Sequence, residues 1–454
     1  MRFICQAVAG ALAISSQTAA AIDLDINDTD SIKDAASTIA YGMVKYYNGN
    51  ETGMIPGELG DPYYWWECGA MFNSLINYWH YTGDTTYNKI VKDGLLFQIG
   101  PDDNYMPPNQ TKAEGNDDQY FWGAAVMTAT EYNFDNPSDD EPGWLALTQG
   151  VFNSQAARWD AADCAGGLRW QIFTWNNGYD YKNSASNGGL FNLAARLGAY
   201  TGNQTYFDWA NKVWDWMDNV GLIGEKYSIF DGTNIGDNCT SLDHTLWTYT
   251  AGMMLNGAAV MWNHTNSTQW RERTEGIWNA SSTNYFAGTD NMIMQEVCEP
   301  TDNCNTDQQS FKAYLSRFMA SSTKVAPWLY DMVRPYLEAS AQAAAQQCDG
   351  GTDGVTCGLK WTQNSTWDGT YGVGQQMCAL EIIQSLLIQE SSAPVTADNG
   401  GTSAGDPNAG TDSGGDTDAS APTSIITTAD RAGAGILTVL VCLGTLAGGY
   451  WLIV

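Results

Sequence analysis

Two adjacent aspartates lie where a polar stretch of the chain meets an apolar one. Residues 114–123 read EGNDDQYFWG, and Asp117 and Asp118 lead directly into an apolar helical pattern. Carboxyl groups of neighbouring residues can lie roughly 5 Å apart, the separation that a retaining glycosidase needs. At that distance their charges interact, so one pKa rises and a protonated acid stands beside an ionised nucleophile.

Helix capping is the alternative explanation of this pair. Acids at a helix N-terminus accept hydrogen bonds from free backbone N–H groups and favour the helix dipole. One aspartate would suffice for that purpose, and the aromatic run 120–122 that follows the pair indicates a partly buried acidic site. The chain has two other Asp-Asp pairs, at 102–103 and 139–140, among residues typical of turns, and we read both as solvated loop acids.

Other aromatic and polar residues are candidate sugar contacts. Flat aromatic faces stack on the C–H faces of sugars, while amides and carboxylates bind the hydroxyls. Each candidate also has a structural explanation, namely core packing for the tryptophans, capping for Asn187 and a buried, satisfied ring for His244. Asp243 is read as a helix cap or as an acid behind the site. The candidates are Asn116, Gln119, Trp122, Trp65, Trp66, Asn187, His244, Asp231 and Gln375.

Composition narrows the class of ligand. The chain has 20 Lys and Arg against 51 Asp and Glu, a formal net charge of −31. Such a polyanion repels nucleic acids, so no nucleic-acid partner is expected. Nineteen Trp and 23 Tyr with only 16% charged residues favour a neutral polyhydroxylated ligand. Three His and the absence of a Cys/His ligand spacing predict no metal, and we expect no cofactor.

Both ends of the chain resemble processing signals. Residues 1–21 have an early Arg, a short apolar stretch and a small-residue end, as a secretory signal peptide does. Residues 431–454 are almost wholly apolar, which indicates either a tail anchor or a GPI-attachment signal. Small residues and a polar spacer before this tail favour the GPI signal, with Asp418 as attachment residue and Gly414 or Gly415 as alternatives. We therefore expect a protein at the extracellular face of the plasma membrane and in the cell wall.

Cysteine usage agrees with secretion. Ten Cys less Cys5 and Cys442, which lie in the terminal signals, leave eight and predict four disulfides. Nine Asn-x-Ser/Thr sequons indicate a glycosylated surface. The expected pairs are Cys298–Cys304, Cys348–Cys357, Cys68–Cys378 and Cys164–Cys239.

A single folded domain is expected over residues 22–390. Residues 391–430 are rich in Ser, Thr, Gly, Asp and Pro, and we expect a flexible stalk there. Within the domain, apolar residues recur at helical spacing and strand-like alternation is scarce, so the fold class is all-α. Helices are predicted over 31–47, 65–83, 119–132, 187–202, 205–217, 245–262, 267–281, 309–323 and 374–388.

A weak repeat joins pairs of helices. The stretches at 79–87, 199–206 and 262–270 each place Gly or Asn where a helix would end and a polar residue with Thr where the next would begin. Repeated helix hairpins predict a toroid or a solenoid, and room for about a dozen helices favours a single-domain (α/α)6 barrel over an open solenoid. The loops before its inner helices would converge on one end of the ring.

The stretches YYWWECGAMFNSLINYWHYTGDTTYN, EGNDDQYFWG and NGGLFNLAARL resemble glycoside hydrolase family 76. The similarity is to its fungal, GPI-anchored branch of mannan endo-1,6-α-mannosidases and extends over about residues 22–390. It implies an (α/α)6 barrel and a retaining mechanism on α-1,6-mannosides, with Asp117 as nucleophile and Asp118 as general acid/base. Cys68 and Cys378 depart from the family's pattern, where small residues are usual.

The resemblance also implies a biological role. The fungal branch would act as a transglycosidase that cleaves the mannose core of GPI anchors and transfers the attached proteins onto cell-wall glucan. Mannose-containing glycans are then the donors, glucan the acceptor, and the enzyme is expected to be a monomer. Two other functions stay open, a non-catalytic mannan-binding wall protein on the same barrel and another (α/α)6 chemistry, such as an inverting hydrolase or a uronate lyase.

Overall fold

The computed structural model describes residues 22–110, 113–287, 289–363 and 366–411. The predicted signal peptide, Asp418 and the apolar tail lie outside these residues. Within them, no helix combines the length and the apolar character needed to cross a bilayer. The helices are α1 Thr29–Val44, α2 Trp65–Thr82, α3 Asn88–Phe97, α4 Asn116–Glu131, α5 Trp144–Ala157, α6 Ser184–Thr201, α7 Gln204–Val220, α8 Thr248–Thr265, α9 Thr268–Asn284, α10 Phe311–Val325, α11 Tyr330–Ala345 and α12 Val373–Gln384.

The even-numbered helices form a closed inner ring. Each contacts the next from α2 to α12, and α12 contacts α2 again. The ring is tightly packed, because a Cβ on Gly69 of α2 would lie 2.7 Å from the Trp122 indole of α4. On the other side of α4, a Cβ on Gly189 of α6 would lie 2.6 Å from the Tyr120 ring. This closure confirms the predicted (α/α)6 barrel and excludes the open solenoid.

The odd-numbered helices form an outer layer, and most of them bury one stripe, whereas α5 is buried on nearly all sides. In α7 the buried residues include Phe207, Ala210, Trp214 and Met217, at the spacing of one helix face. This periodicity is what predicted nine of the helices. Three outer helices, α3, α5 and α11, were not predicted, since α3 is short and α11 is rich in alanine.

Helix ends follow the predicted capping pattern. Gly83, Gly202 and Asn266 adopt the left-handed conformation after α2, α6 and α8. Asn203 and Ser267 then accept hydrogen bonds from the first turns of α7 and α9. The weak repeat in the sequence therefore marks three inner-to-outer hairpins of the barrel.

Short strands lie in the connections between the helices. The strands are β1 Tyr181–Asn183, β2 Phe230–Asn234, β3 Leu242–Leu246, β4 Phe286–Ala287 and β5 Ile293–Met294. Strands β1, β2 and β3 form an antiparallel sheet in that order, and β4 pairs with β5. Because β1 leads directly into α6, the three-stranded sheet lies at the end of the barrel where α6 begins.

Three of the four predicted disulfides are present, Cys164–Cys239, Cys298–Cys304 and Cys348–Cys357. The fourth prediction is wrong, because Cys68 and Cys378 are free and buried thiols. They lie on neighbouring inner helices but have different surroundings. Cys378 donates to the Gln309 carbonyl before α10, whereas Cys68 lies within electrostatic reach of Tyr47.

The segment 391–411 packs along the barrel, so the predicted stalk does not begin at residue 391. The Val395 N–H donates to the carbonyl of Glu131 at the end of α4, and the Ala146 N–H of α5 donates to Ala404. Farther on, Asn153 near the end of α5 donates to the Ala409 carbonyl over 2.8 Å. The segment therefore runs back along α5 toward the end of the barrel at which α4 begins.

Candidate functional site

The inner helices begin at one end of the barrel, which we call the mouth, and a cavity of about 540 Å³ opens there. Helix N-termini carry a partial positive charge, so their convergence stabilises an anionic group in the cavity. Residues at or just before the starts of α2, α4, α6, α8 and α10 contribute to its wall. They are Trp65, Trp66, Asp117, Asp118, Asn183, Trp247 and Phe311.

Asp118 is held by the backbone at the start of α4. Its Oδ2 accepts a hydrogen bond of 2.6 Å from the N–H of Gly115, the residue that precedes the helix. This is capping geometry, so the structural explanation of the pair is correct for Asp118. Its side chain is nevertheless partly exposed and lines the cavity, so capping orients the carboxyl without removing it from the site.

Asp117 accepts hydrogen bonds through both oxygens. Its Oδ1 accepts from the Asp118 N–H over 3.1 Å, and its Oδ2 accepts from Asn183 Nδ2 over 2.9 Å. Asn183 is itself fixed, because its Oδ1 caps α6 by accepting from the Ser186 N–H. Two inner helices thereby set the position of the Asp117 carboxyl.

The carboxyl groups of Asp117 and Asp118 differ in their affinity for a proton. Burial raises the pKa of Asp117 to about 7, although the hydrogen bonds from Asn183 and the backbone lower it. Burial also raises the pKa of Asp118 well above its usual range, and the charge of Asp117 adds to the rise. Asp117 accepts more hydrogen bonds than Asp118, and these bonds favour its ionised form. As the pH rises, Asp117 therefore loses its proton before Asp118 does.

Four more carboxyl groups line the cavity. Asp307 accepts from Trp66 Nε1 over 3.0 Å, and Asp231 accepts from the Tyr181 hydroxyl over 2.7 Å. The described residues of the wall include no Lys, Arg or His. The cavity is therefore electronegative and suits a neutral or cationic ligand. The four acids are Glu114, Asp231, Asp243 and Asp307.

The predicted aromatic contacts divide into two groups. Trp65 and Trp66 line the cavity. Trp122 is fully buried and lies behind Trp65, with ring centroids 5.0 Å apart. Its indole fills the space against α2, so the structure places it in the core and not in the cavity wall.

Three predicted amides serve the scaffold instead of the cavity. Asn116 donates to the Arg169 carbonyl and accepts from Arg158, and Gln119 donates to the Asn104 carbonyl and to Ser154. Asn187 bonds both the N–H and the carbonyl of Leu168. All three are buried, and none contributes to the cavity wall. The backbone contacts of Asn116 and Asn187 position the loop between α5 and β1, and that of Gln119 positions the loop between α3 and α4.

Two further candidates also lie away from the wall. His244 is exposed on β3, with its ring 4.3 Å from that of Phe230, so neither a cavity position nor a buried one is correct. Gln375 is buried in α12 and donates to Gln309. The predicted Asp231 does line the cavity, and so does Asp243.

Several wall residues were missed by the sequence reasoning. Asp307 and Asn183 immediately precede helical stretches that the periodicity did predict, so the position just before an inner helix was a usable signal. Tyr181 and Tyr249 carried no such signal, since their types and spacing match ordinary core aromatics.

Replacing Asn183 by Ser is expected to shift the acidic limb of the pH–activity profile to higher pH. Serine keeps an acceptor for the start of α6 but is too short to donate to Asp117. Losing a donor to the ionised form raises the pKa of Asp117, so more of this carboxyl group is protonated at low pH. We expect activity several-fold below that of the parent on this limb, measured as kcat/KM against pH. Asn203→Ser, at the cap of α7, is the matched control, and an unchanged profile in N183S contradicts the assigned contact.

The chain matches glycosyl hydrolase family 76 over residues 31–398. A mannan endo-1,6-alpha-mannosidase DCW1 of Eremothecium gossypii is 49% identical over 100% of this chain and 99% of its own length. The protein of the same name in Saccharomyces cerevisiae is 47% identical over 95% of each chain.

Solved structures show the same architecture. Dfg5 from Chaetomium thermophilum, crystallised in complex with glucosamine, has a TM-score of 0.83 and 42% identity, over 87% of this chain and 99% of its own. An inactive variant of the alpha-1,6-mannanase GH76A of Salegentibacter, in complex with alpha-1,6-mannotetrose, has a TM-score of 0.63 at 15% identity. It covers 79% of this chain and 99% of its own, and shows the shared fold.

Proposed function

Because the chain belongs to glycosyl hydrolase family 76, we propose that it is a retaining glycosidase and transglycosidase acting on α-1,6-mannosides. Relatives that match nearly its whole length carry the name mannan endo-1,6-alpha-mannosidase. The observation that carries the proposal is the Asp117–Asp118 pair at the start of α4, in a cavity wall and with unequal affinity for a proton.

The reaction proceeds in two steps. Asp118 donates its proton to the glycosidic oxygen as the bond to the anomeric carbon breaks, and ionised Asp117 bonds to that carbon. The product is a mannosyl ester of Asp117. Asp118, now ionised, then takes the proton of an incoming hydroxyl group. The hydroxyl oxygen bonds to the anomeric carbon as the ester bond to Asp117 breaks. Two inversions at the anomeric carbon give net retention.

The cavity is electrostatically matched to this reaction. The transition states resemble an oxocarbenium ion, so positive charge develops on the sugar ring. Asp231 and Asp307 in the same wall stabilise that charge electrostatically. Trp65 and Trp66 supply aromatic surface for the sugar faces.

The donor in this proposal is the mannose core of a GPI anchor. The Chaetomium relative was crystallised with glucosamine, whose free amine is cationic at neutral pH. A wall with six carboxyl groups and no described basic residue suits such an ammonium group. Cell-wall glucan is the acceptor, and transfer to it joins the anchored protein to the wall.

Attachment to the plasma membrane by a GPI anchor of its own is part of the proposal. The segment 391–411 returns along α5 toward the mouth, and residues 412–454 follow it. An anchor attached there would hold the cavity near membrane-bound donors. Release of the cell-surface protein by a phosphatidylinositol-specific phospholipase C is the expected result, and retention after this treatment would favour a tail anchor.

The proposed activity is tested by product analysis. The domain 22–411 is incubated with a GPI-core glycan and a β-1,3-glucan oligosaccharide, and products are measured by mass and by anomeric NMR. We expect a shortened donor, a glucan-linked transfer product and retained α-configuration. Binding without any product would indicate a mannan-binding protein, whereas an inverted anomer would indicate an inverting hydrolase.

A further inference from the structure

The loop between α5 and β1, which borders the mouth, carries two exposed tryptophans. The Trp170 and Trp175 residues are 37% and 54% exposed, and every other tryptophan in the described part of the chain is buried or half-buried. Trp170 lines the cavity, and Trp175 lies a few residues farther along the loop. Partly exposed indole rings beside a cavity are typical of carbohydrate platforms.

The two rings are held in place. Trp170 packs on Gly178, where a Cβ would lie 2.3 Å from the indole and where φ is +94°, so glycine is required. Trp175 stacks on Phe173, with ring centroids 5.0 Å apart and planes inclined by 22°. We call Trp170, Phe173 and Trp175 the acceptor platform.

The base of the loop is fixed as well. Arg169 forms ion pairs with Asp160 and Asp163 at 2.8 and 2.5 Å. The Cys164–Cys239 disulfide ties the same loop to the connection between β2 and β3. A platform built on such a base binds sugars with little loss of conformational entropy.

The platform lies on the Asp118 side of the catalytic pair. Gly115, whose N–H binds Asp118, pairs with Gln171, and the Asn116 N–H donates to the Trp170 carbonyl over 2.9 Å. The loop is thus hydrogen-bonded to the backbone segment that holds Asp118, the proton donor. Asp117, in contrast, is bonded to Asn183 at the start of α6.

In a retaining enzyme the departing sugar and the incoming acceptor use the same acid/base, so both occupy its side of the cavity. Resting on the proposed function, we propose that the acceptor platform binds the acceptor sugar. There it directs the mannosyl-Asp117 ester to a sugar hydroxyl in preference to water. The acceptor oxygen bonds to the anomeric carbon, the ester bond breaks, and the hydroxyl proton passes to Asp118.

The platform fits a neutral β-linked glucopyranoside. All hydroxyls of such a ring are equatorial, so both ring faces present C–H groups that can stack on indole. Mannose has an axial hydroxyl that interrupts one face. Stacking also needs no charge on the sugar, which suits a strongly acidic protein.

The test is the partition between transfer and hydrolysis in Trp175→Ala. An α-1,6-mannotetraose donor is supplied with or without a β-1,3-glucan pentasaccharide. We expect the ratio of transfer to hydrolysis products to fall about tenfold, which corresponds to about 1.4 kcal/mol of lost acceptor binding. Trp175→Phe retains an aromatic face and should keep most of the transfer. Tyr41→Ala, which removes an equally exposed aromatic from α1, should leave the ratio unchanged.

The outcomes separate this inference from the proposed function. A parent enzyme without any cleavage product would end the proposed function and the platform with it. Hydrolysis without transfer in the parent would overturn the platform together with the transglycosidase part of the proposed function, whereas an unchanged ratio in W175A would overturn the platform alone. A lower ratio in W175A that W175F restores supports it.

Discussion

Replacing Asp117 or Asp118 by Asn should reduce turnover of α-1,6-mannosides by at least about 10³-fold. An amide at 117 cannot form the glycosyl ester, and an amide at 118 has no proton to give. The measurement is kcat/KM on a mannotetraose, and near-parent activity in either variant would refute the assigned roles.

The two variants should be distinguishable. With an aryl α-mannobioside whose leaving group needs no protonation, Asp118→Asn should recover much of the first step, whereas Asp117→Asn should not. Added azide should then give an α-azide product with D118N, since the mannosyl ester still forms. Equal recovery by both variants would contradict the separate roles.

Neither substitution should unfold the protein. Burial raises the pKa of both carboxyls above the unfolded values, so each binds a proton more tightly in the folded state. The contribution of such a group to stability is present at low pH and is lost as pH rises toward its folded pKa. A neutral amide avoids this loss, so the melting temperature of either variant at neutral pH should equal or exceed that of the parent.

Truncating Glu381 to Ala should lower the free energy of unfolding by about 3–5 kcal/mol. Glu381 of α12 accepts two hydrogen bonds from Arg317 of α10, at 2.6 and 2.8 Å, and Arg317 also donates to Ser74 of α2. Both ions are almost completely buried. Without the carboxylate, the guanidinium stays in the interior unpaired, and three neighbouring inner helices lose a common link.

Denaturant midpoints and melting temperatures measure this effect. The double variant Glu381→Leu with Arg317→Met removes both charges and should recover most of the loss. Glu275→Ala, which breaks an exposed pair with Arg271 in α9, is the control and should change stability by less than about 1 kcal/mol. A loss in E381A no larger than in E275A would show that the ion pair does not hold the ring together.

Much of the architecture was predictable because it depends on neighbours in the chain. Apolar spacing predicted the six inner helices and three of the outer ones. Capping residues such as Gly202 and Asn266 marked the hairpins, and the adjacency of Asp117 and Asp118 marked a carboxyl pair at a helix start. Short loops likewise made two of the disulfides predictable from spacing alone.

Which residues line the cavity was harder to predict from the sequence. Asn116, Gln119 and Asn187 have suitable chemistry, yet they bond backbone groups of the loops around α4 and α6. Trp122 looked like a sugar platform but faces α2. Which side of an inner helix faces the cavity depends on the rotation of that helix in the ring, and every face of these helices is apolar enough to be buried.

Cys68 and Cys378 show the same limit, because neighbouring helices do not ensure that two thiols face each other. Local physics in the chain was enough for nine of the helices, for several of their caps and for the carboxyl pair at the start of α4. The partners of that pair, Asn183, Asp231 and Asp307, lie far away in sequence. They reach it only when six helices close into a ring and bring their N-termini together. That closure is a property of packing between distant residues, and it alone makes two acids at a helix start part of a cavity wall.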